Sequence, residues 1–256
     1  MFWLYEEELP ANVGSERFCA MHLVYIAVFA ALTLGYALFC RRSDERKRRT
    51  ADRILGAAVL FFGLCEYAIT ALLGHFSRLA LPLHVCSLMF FAVPLHAWTR
   101  SEKLRGFLGA VIFHPGILGA LSALLFPDWL YYPFWNYLSV SSFLAHGLIL
   151  VYGASVLVQL AQARDQRALF RRDLRASALF LCLGAAVTYG FDRATGTNYW
   201  FMAGPGNDSP FLGVWTRGGY GAYLAAFALT ALTVTALWYG LRWLLFVKNP
   251  ASDKDR

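Results

Sequence analysis

Residues 81–98 read LPLHVCSLMFFAVPLHAW, and this stretch sets the character of the whole chain. It is largely apolar, which predicts a helix inside a membrane. Pro82 suits the first turn of that helix, where its missing N–H is no loss. Cys86 then falls about one turn inside the helix, where the helix dipole partly favours the nucleophilic thiolate. His84 lies only two residues before Cys86, so a base for this cysteine must come from another helix.

The composition of the 256-residue chain is that of a membrane protein. Hydrophobic residues make up 58% of it and charged residues only 15%, too little charge to cover a soluble surface. The five cysteines are scattered without a CxxC pair or zinc-type spacing, which argues against a disulfide framework. Membrane orientation explains the net charge of +7, so no nucleic-acid partner is predicted.

Seven apolar segments are predicted to cross a hydrocarbon core of about 30 Å. They run over Phe18–Cys40, Ile54–Leu73, Pro82–Trp98, Leu104–Phe126, Asn136–Ala161, Ala176–Phe191 and Tyr220–Val247. The sequence therefore predicts an all-α, multi-pass domain of seven transmembrane helices over residues 18–247. A short extracytoplasmic segment, 1–17, precedes this domain, and a cytoplasmic tail, 248–256, follows it.

The basic residues predict the orientation of these spans. Of the 23 lysines and arginines, 19 fall in alternate loops and at the C-terminal end, on one predicted side of the membrane. Basic loops favour the cytoplasmic side, so the N-terminus is predicted outside and the C-terminus inside. Anionic lipid headgroups would face these loops.

Several ionisable side chains fall in the predicted outer half of the bilayer, where they are costly and usually functional. At 1.5 Å per residue, Cys86 lies about 6 Å, Glu66 about 10 Å and His146 about 15 Å below the outer edge, with His114 at about 16 Å. A thiol, an imidazole and a carboxylate together are the groups that activate a cysteine for acyl chemistry. We therefore predict Cys86 as nucleophile, His146 as base and Glu66 as the acid that orients the base.

Each of these residues also has a purely structural explanation. Cys86 could be a small hydrophobe in a packed bundle. His114 precedes Pro115 and could satisfy backbone groups freed by a kink, and Glu66 could be protonated and bonded to a neighbouring helix. His146, beside a glycine, could be a packing contact. Metal binding by the predicted outer histidines is disfavoured because no His-x-x-x-His spacing occurs; those histidines are His75, His84, His114 and His146.

Four blocks of sequence resemble the YwaF-like bacterial membrane proteins and the related transmembrane protein 164 family. They are Leu-Pro-Leu-His-Val-Cys at 81–86, the run from Pro115 to Asp128, Ser-Phe-Leu-Ala-His-Gly at 142–147, and Asn-Tyr-Trp-Phe-Met at 198–202. The resemblance implies a cysteine-dependent phospholipid acyltransferase of a bacterial inner or plasma membrane. It implies a thioester on Cys86 and His146 as its base, with membrane lipids as acyl donor and acceptor and no cofactor.

Further substrate-binding or oxyanion-stabilising roles are predicted for His84, Asn198, Tyr199 and His114. The segment Phe126–Tyr137 is predicted as an aromatic belt at the outer interface. The stretch Gly196–Gly219 is predicted to fold back over the outer mouth as a cap, and the loop Gly204–Thr216 within it does not match the family pattern. Two alternatives stay open: a lipid hydrolase or thioesterase that uses the same Cys-His site, and a transporter or receptor that uses the buried polar groups for binding.

Overall fold

The structure is a computed structural model that describes residues 1–205, 209 and 211–248. Every regular element in this part of the chain is helical, which confirms the all-α prediction. The α-helices are α1 (Ala20–Arg42), α2 (Glu45–Leu72), α3 (Val85–Trp98), α4 (Glu102–Val111), α5 (Ile117–Leu125), α6 (Tyr137–Ala161), α7 (Gln166–Thr195) and α8 (Leu212–Arg242). A π-helix, Ile112–Gly116, joins α4 to α5, and another, Trp243–Lys248, follows α8. All but the first residue of the predicted tail 248–256 lies outside the described residues.

Six helices are long and apolar enough to cross a membrane: α1, α2, the continuous run Glu102–Leu125, α6, α7, and α8 with the residues up to Val247. The remaining apolar helix, α3, has 14 residues and rises only about 21 Å. It is shorter than predicted because it begins at Val85, after His84 in extended conformation. Pro82 thus lies in the preceding turn rather than in the first turn of the helix. A full seventh span and the orientation of the bundle stay predictions.

The chain divides into two compact units, Met1–Gln159 and Leu160–Arg256. In the first unit, glycine allows close packing between neighbouring helices. A Cβ on Gly63 of α2 would lie 2.5 Å from the Phe90 ring of α3, so the two helices approach closely at this point. The π-helix between α4 and α5 contains Pro115, whose missing N–H breaks the regular α-helical hydrogen bonding.

A buried carboxylate links three helices of the first unit. Asp52 of α2 accepts hydrogen bonds from the hydroxyls of Tyr36 on α1 at 2.8 Å and Ser155 on α6 at 3.0 Å. A buried charge of this kind is tolerated only when it is hydrogen-bonded. Asp52 therefore acts as a structural junction at the ends of these helices that are predicted to be cytoplasmic.

The connection between α5 and α6, residues 126–136, is less interfacial than predicted. Its Trp129, Tyr132 and Phe134 are buried in the hydrophobic core of the first unit. Tyr131 and Trp135 remain exposed, as expected for an aromatic belt. The connection therefore has an inner and an outer face, and its inner face lies beside the candidate site.

The second unit contains a buried ion pair. The Arg242 guanidinium of α8 lies 2.9 Å from the Asp173 carboxylate of α7, and each side chain is 1% exposed. Tyr239 donates a hydrogen bond to the Asp173 carbonyl in the same region. Helix α8 also changes direction at Gly219, whose φ of +67° suits glycine, directly before the predicted span start at Tyr220.

Candidate functional site

Cys86 is the second residue of α3 and is half-buried. At this position the unpaired N–H groups of the first helical turn favour a negative charge on sulfur. Helix α5 runs directly alongside, because a Cβ built on Gly119 would lie 3.1 Å from the Cys86 Sγ. The absence of a side chain at Gly119 therefore leaves space beside the sulfur.

The His146 ring is fixed in orientation by two contacts. Its Nδ1 lies 2.6 Å from the Ser142 carbonyl oxygen, and the Trp129 ring stacks on it at a centroid distance of 5.2 Å and an angle of 17°. Since a carbonyl only accepts hydrogen bonds, Nδ1 must carry the proton. In the neutral ring Nε2 then keeps its lone pair, which is the tautomer that a general base requires.

An acidic side chain that the sequence analysis did not select, Asp128, influences both groups. Its carboxylate interacts electrostatically with Cys86 and with His146, and His84 also interacts with His146. Within residues 1–205, 209 and 211–248, no hydrogen bond joins the Cys86 sulfur to the imidazole. Proton transfer between them therefore needs a closer approach or a bridging water, which is common in ligand-free sites.

Glu66 has different neighbours from those predicted. Its carboxyl group lies close to Ser141 of α6 and interacts electrostatically with Tyr137, while the Ser141 hydroxyl donates to the Leu138 carbonyl. Ser141 and His146 are five residues apart, so they lie about 140° apart around the helix. Glu66 is therefore held at a different face of α6 from the imidazole, and its predicted role in orienting His146 has no support in these contacts.

The sequence contained one weak indication of Asp128. This residue ends the 115–128 block that carries the family resemblance, but it lies in an irregular aromatic segment without helical periodicity. Only the fold reveals that the next residue, Trp129, packs on the imidazole. Asp128 itself is exposed, so it is a charge at the mouth of the site rather than a buried partner.

The remaining predicted residues lie at several places in the fold. His114 is buried within the π-helix Ile112–Gly116. In the second unit, the Asn198 amide holds a turn, because its Nδ2 donates to the Gly204 carbonyl and its Oδ1 accepts from the Ala203 N–H. Tyr199 is buried, and its N–H donates to Asp192. Their predicted substrate roles stay predictions, and the predicted cap, Gly196–Gly219, falls partly outside the described residues.

Two tyrosines in the connection between α5 and α6 have pKa values that are perturbed mainly by partial burial. Burial raises the pKa of Tyr131, and the charges of Glu6 and Asp128 add to this effect. Burial likewise raises the pKa of Tyr132. Both tyrosines are therefore neutral hydrogen-bonding groups at physiological pH. No group of three or more His, Cys, Asp or Glu side chains in the described part of the chain has the geometry to hold a metal ion.

Comparison with known protein families assigns the chain to one of them. The model of the TMEM164 family matches residues 16–239, a range that includes Cys86, Asp128 and His146. The chain belongs to the TMEM164 family. Searches of the curated proteins and of the solved structures gave no match. The family and the six membrane-length helices make the chain an integral, multi-pass membrane protein.

The space beside the Cys86 sulfur gives a first prediction for this member of the TMEM164 family. Substituting Gly119→Ala should slow the reaction of Cys86 with a lipid-like electrophile about fivefold, since overpacking of this kind costs on the order of 1 kcal/mol. The rate can be measured by peptide mass spectrometry. Gly35→Ala is the matched control, because a Cβ at Gly35 meets no atom within 4 Å. Equal rates for the two variants would mean that Gly119 does not border the reacting sulfur.

Proposed function

We propose that this protein transfers acyl groups between membrane lipids through a thioester on Cys86. The observation that carries the proposal is the tautomer of His146, whose basic nitrogen is set by its hydrogen bond to Ser142. This imidazole and a cysteine at a helix N-terminus lie under the influence of one carboxylate, Asp128.

In the first half-reaction His146 Nε2 takes the proton of the Cys86 thiol. The thiolate attacks the ester carbonyl of the donor lipid, and the tetrahedral intermediate collapses when the lysolipid oxygen leaves with the proton from the imidazolium. The products are a lysolipid and an acyl group on Cys86. Helix geometry leaves the N–H groups of Val85, Cys86 and Ser87 without intrahelical acceptors, so they are candidate donors to the oxyanion.

The second half-reaction regenerates the thiol. The hydroxyl of an acceptor lipid gives its proton to His146 and attacks the thioester carbonyl. The Cys86 thiolate leaves and takes the proton back from the imidazolium. Water as the acceptor would make the same site a lipid hydrolase, so exclusion of water decides between transfer and hydrolysis.

We assign Asp128 the part first predicted for Glu66. As the imidazolium forms, a nearby negative charge stabilises it. The same charge opposes the thiolate, but on attack that negative charge passes from the sulfur to the carbonyl oxygen, where the N–H groups at the start of α3 are candidate donors, whereas the imidazolium keeps its charge until the leaving group is protonated. The stabilising effect is therefore the larger one in the transition state.

Mass spectrometry of the acyl-enzyme tests the proposal directly. The purified protein, incubated with phospholipid vesicles, should carry a hydroxylamine-sensitive acyl adduct on the peptide that contains Cys86. The adduct should be absent after Cys86→Ser and unchanged after Cys65→Ser, which alters a cysteine without a role in the mechanism. An unmodified Cys86 with full lipid binding would favour the transporter or receptor alternative.

A further inference from the structure

The first fifteen residues, Met1–Ser15, run across the loops of the first unit; we call this segment the strap. It is hydrogen-bonded to the connection between α5 and α6. The strap donates three of these bonds: Glu6 N–H to the Tyr132 hydroxyl, Ser15 N–H to the Leu130 carbonyl and Ser15 Oγ–H to the Tyr132 carbonyl. It accepts three others: the Asn136 side-chain amide donates to the carbonyls of Met1 and Leu4, and the Tyr137 N–H donates to the Phe2 carbonyl. The strap is therefore fixed along much of its length to this connection.

The strap also contacts the connection between α2 and α3. The Tyr5 ring stacks on the His75 ring at a centroid distance of 4.2 Å and an angle of 8°. The Glu8 carboxylate lies 3.8 Å from His75 Nε2. One strap thus bridges two connections that are far apart in the sequence.

Both connections lead into the candidate site. The one between α2 and α3 continues from His75 to Cys86, and the one between α5 and α6 carries Asp128 and Trp129. Tyr131 links strap and site, because it interacts electrostatically with Glu6 on one side and Asp128 on the other. It also lines a cavity of about 320 Å³ together with six strap residues. The strap therefore lies over the loops that hold the reacting groups.

The strap is built to detach without unfolding the bundle. None of its fifteen side chains is buried, although Leu9 packs against the hydrophobic core, and elements with few buried side chains open first. Its junction with α1 is firm, since the Phe18 N–H donates to Nδ1 of buried His22, whose Nε2–H donates to the Leu124 carbonyl. Opening would thus occur as a movement of Met1–Ser15 about a fixed end.

We propose that the strap is a gate that keeps water from Cys86 and His146 and so favours acyl transfer over hydrolysis. The role in favouring transfer over hydrolysis rests on the proposed function. Control of access to Cys86 by the strap does not depend on that function. A closed strap protects the thioester from water, and an opened strap admits both water and water-soluble reagents.

A single substitution, Gly14→Ala, should be enough to displace the strap. A Cβ on Gly14 would lie 2.8 Å from the Leu130 carbonyl oxygen, and that backbone atom cannot move aside without disturbing the connection. Gly14→Ala should therefore lift the strap and remove at least the hydrogen bond between Ser15 N–H and the Leu130 carbonyl. Deletion of Phe2–Ser15 is the second variant, and Gly35→Ala, in open space on α1, is the control.

The readout is the labelling of Cys86 by a permanently charged methanethiosulfonate reagent in lipid nanodiscs. Gly14→Ala should raise the rate about fivefold, the shift expected when an equilibrium loses one hydrogen bond, and the deletion should raise it at least as much. Gly35→Ala should have no effect, and Cys182, which lies inside the membrane-length helix α7, should stay unlabelled by the charged reagent in all variants. Unchanged Cys86 labelling in both strap variants would overturn the gate.

A second readout separates the gate from the proposed chemistry. With lipid substrates, Gly14→Ala should increase the ratio of free fatty acid to transferred acyl product. If Cys86 labelling rises while neither the parent protein nor the variant forms an acyl-enzyme, the gate stands and the acyltransferase proposal fails. If an acyl-enzyme forms but labelling and product ratio do not change, the acyltransferase proposal stands and the gate fails.

Discussion

Replacing His146 by alanine should slow acylation of Cys86 about 100-fold, because a positioned general base contributes at least that factor. The Ser142 carbonyl fixes the proton on Nδ1, so Nε2 is the only ring nitrogen that can accept the thiol proton. Rates of thioester formation from a donor lipid, measured on intact protein by mass spectrometry, check this directly.

Loss of packing is the competing explanation, since His146 stacks on Trp129. His146→Phe is the matched variant, because it keeps an aromatic ring against Trp129 but has no base. Both variants should be equally slow, and added imidazole should partly rescue the alanine variant, which has space for it, but not the phenylalanine variant. If His146→Phe acylates Cys86 at the parent rate, His146 is a packing residue and not a base.

The helical architecture could be predicted from the sequence because apolar length is a local property. The start of α6 at Tyr137 and its end at Ala161 agree with the predicted span Asn136–Ala161 to within one residue. The third span was predicted too long, because an apolar run does not reveal where the backbone turns: His84 caps the helix in extended conformation. The division of the chain near Gln159 was also not predicted, since it depends on contacts between distant residues.

The candidate site was predictable only in part. Cys86 and His146 stand out because ionisable groups are rare in spans, and the same logic selected Glu66. The position of a residue along its helix predicts its depth in the membrane. The direction in which its side chain faces depends on how the helices pack, which the sequence does not reveal. Glu66 was selected by its depth, and its carboxyl group lies near Ser141. The strap was missed for a similar reason, since its backbone hydrogen bonds depend on long-range contacts that leave no sequence pattern.

The second large predicted effect on the rate of Cys86 acylation distinguishes the two candidate acids, Asp128 and Glu66. Asp128→Asn should slow acylation of Cys86 about tenfold, because a negative charge that interacts with His146 stabilises the forming imidazolium by on the order of 1 kcal/mol or more near a protein surface. Glu66→Gln, which replaces the other candidate carboxyl group, should leave the rate within about twofold, since changes at uncoupled sites cost little. Since Asp128 is exposed, its effect should shrink as salt is raised from low to physiological ionic strength. A larger loss for Glu66→Gln than for Asp128→Asn, or a salt-independent effect at Asp128, would return the role of the acid to Glu66.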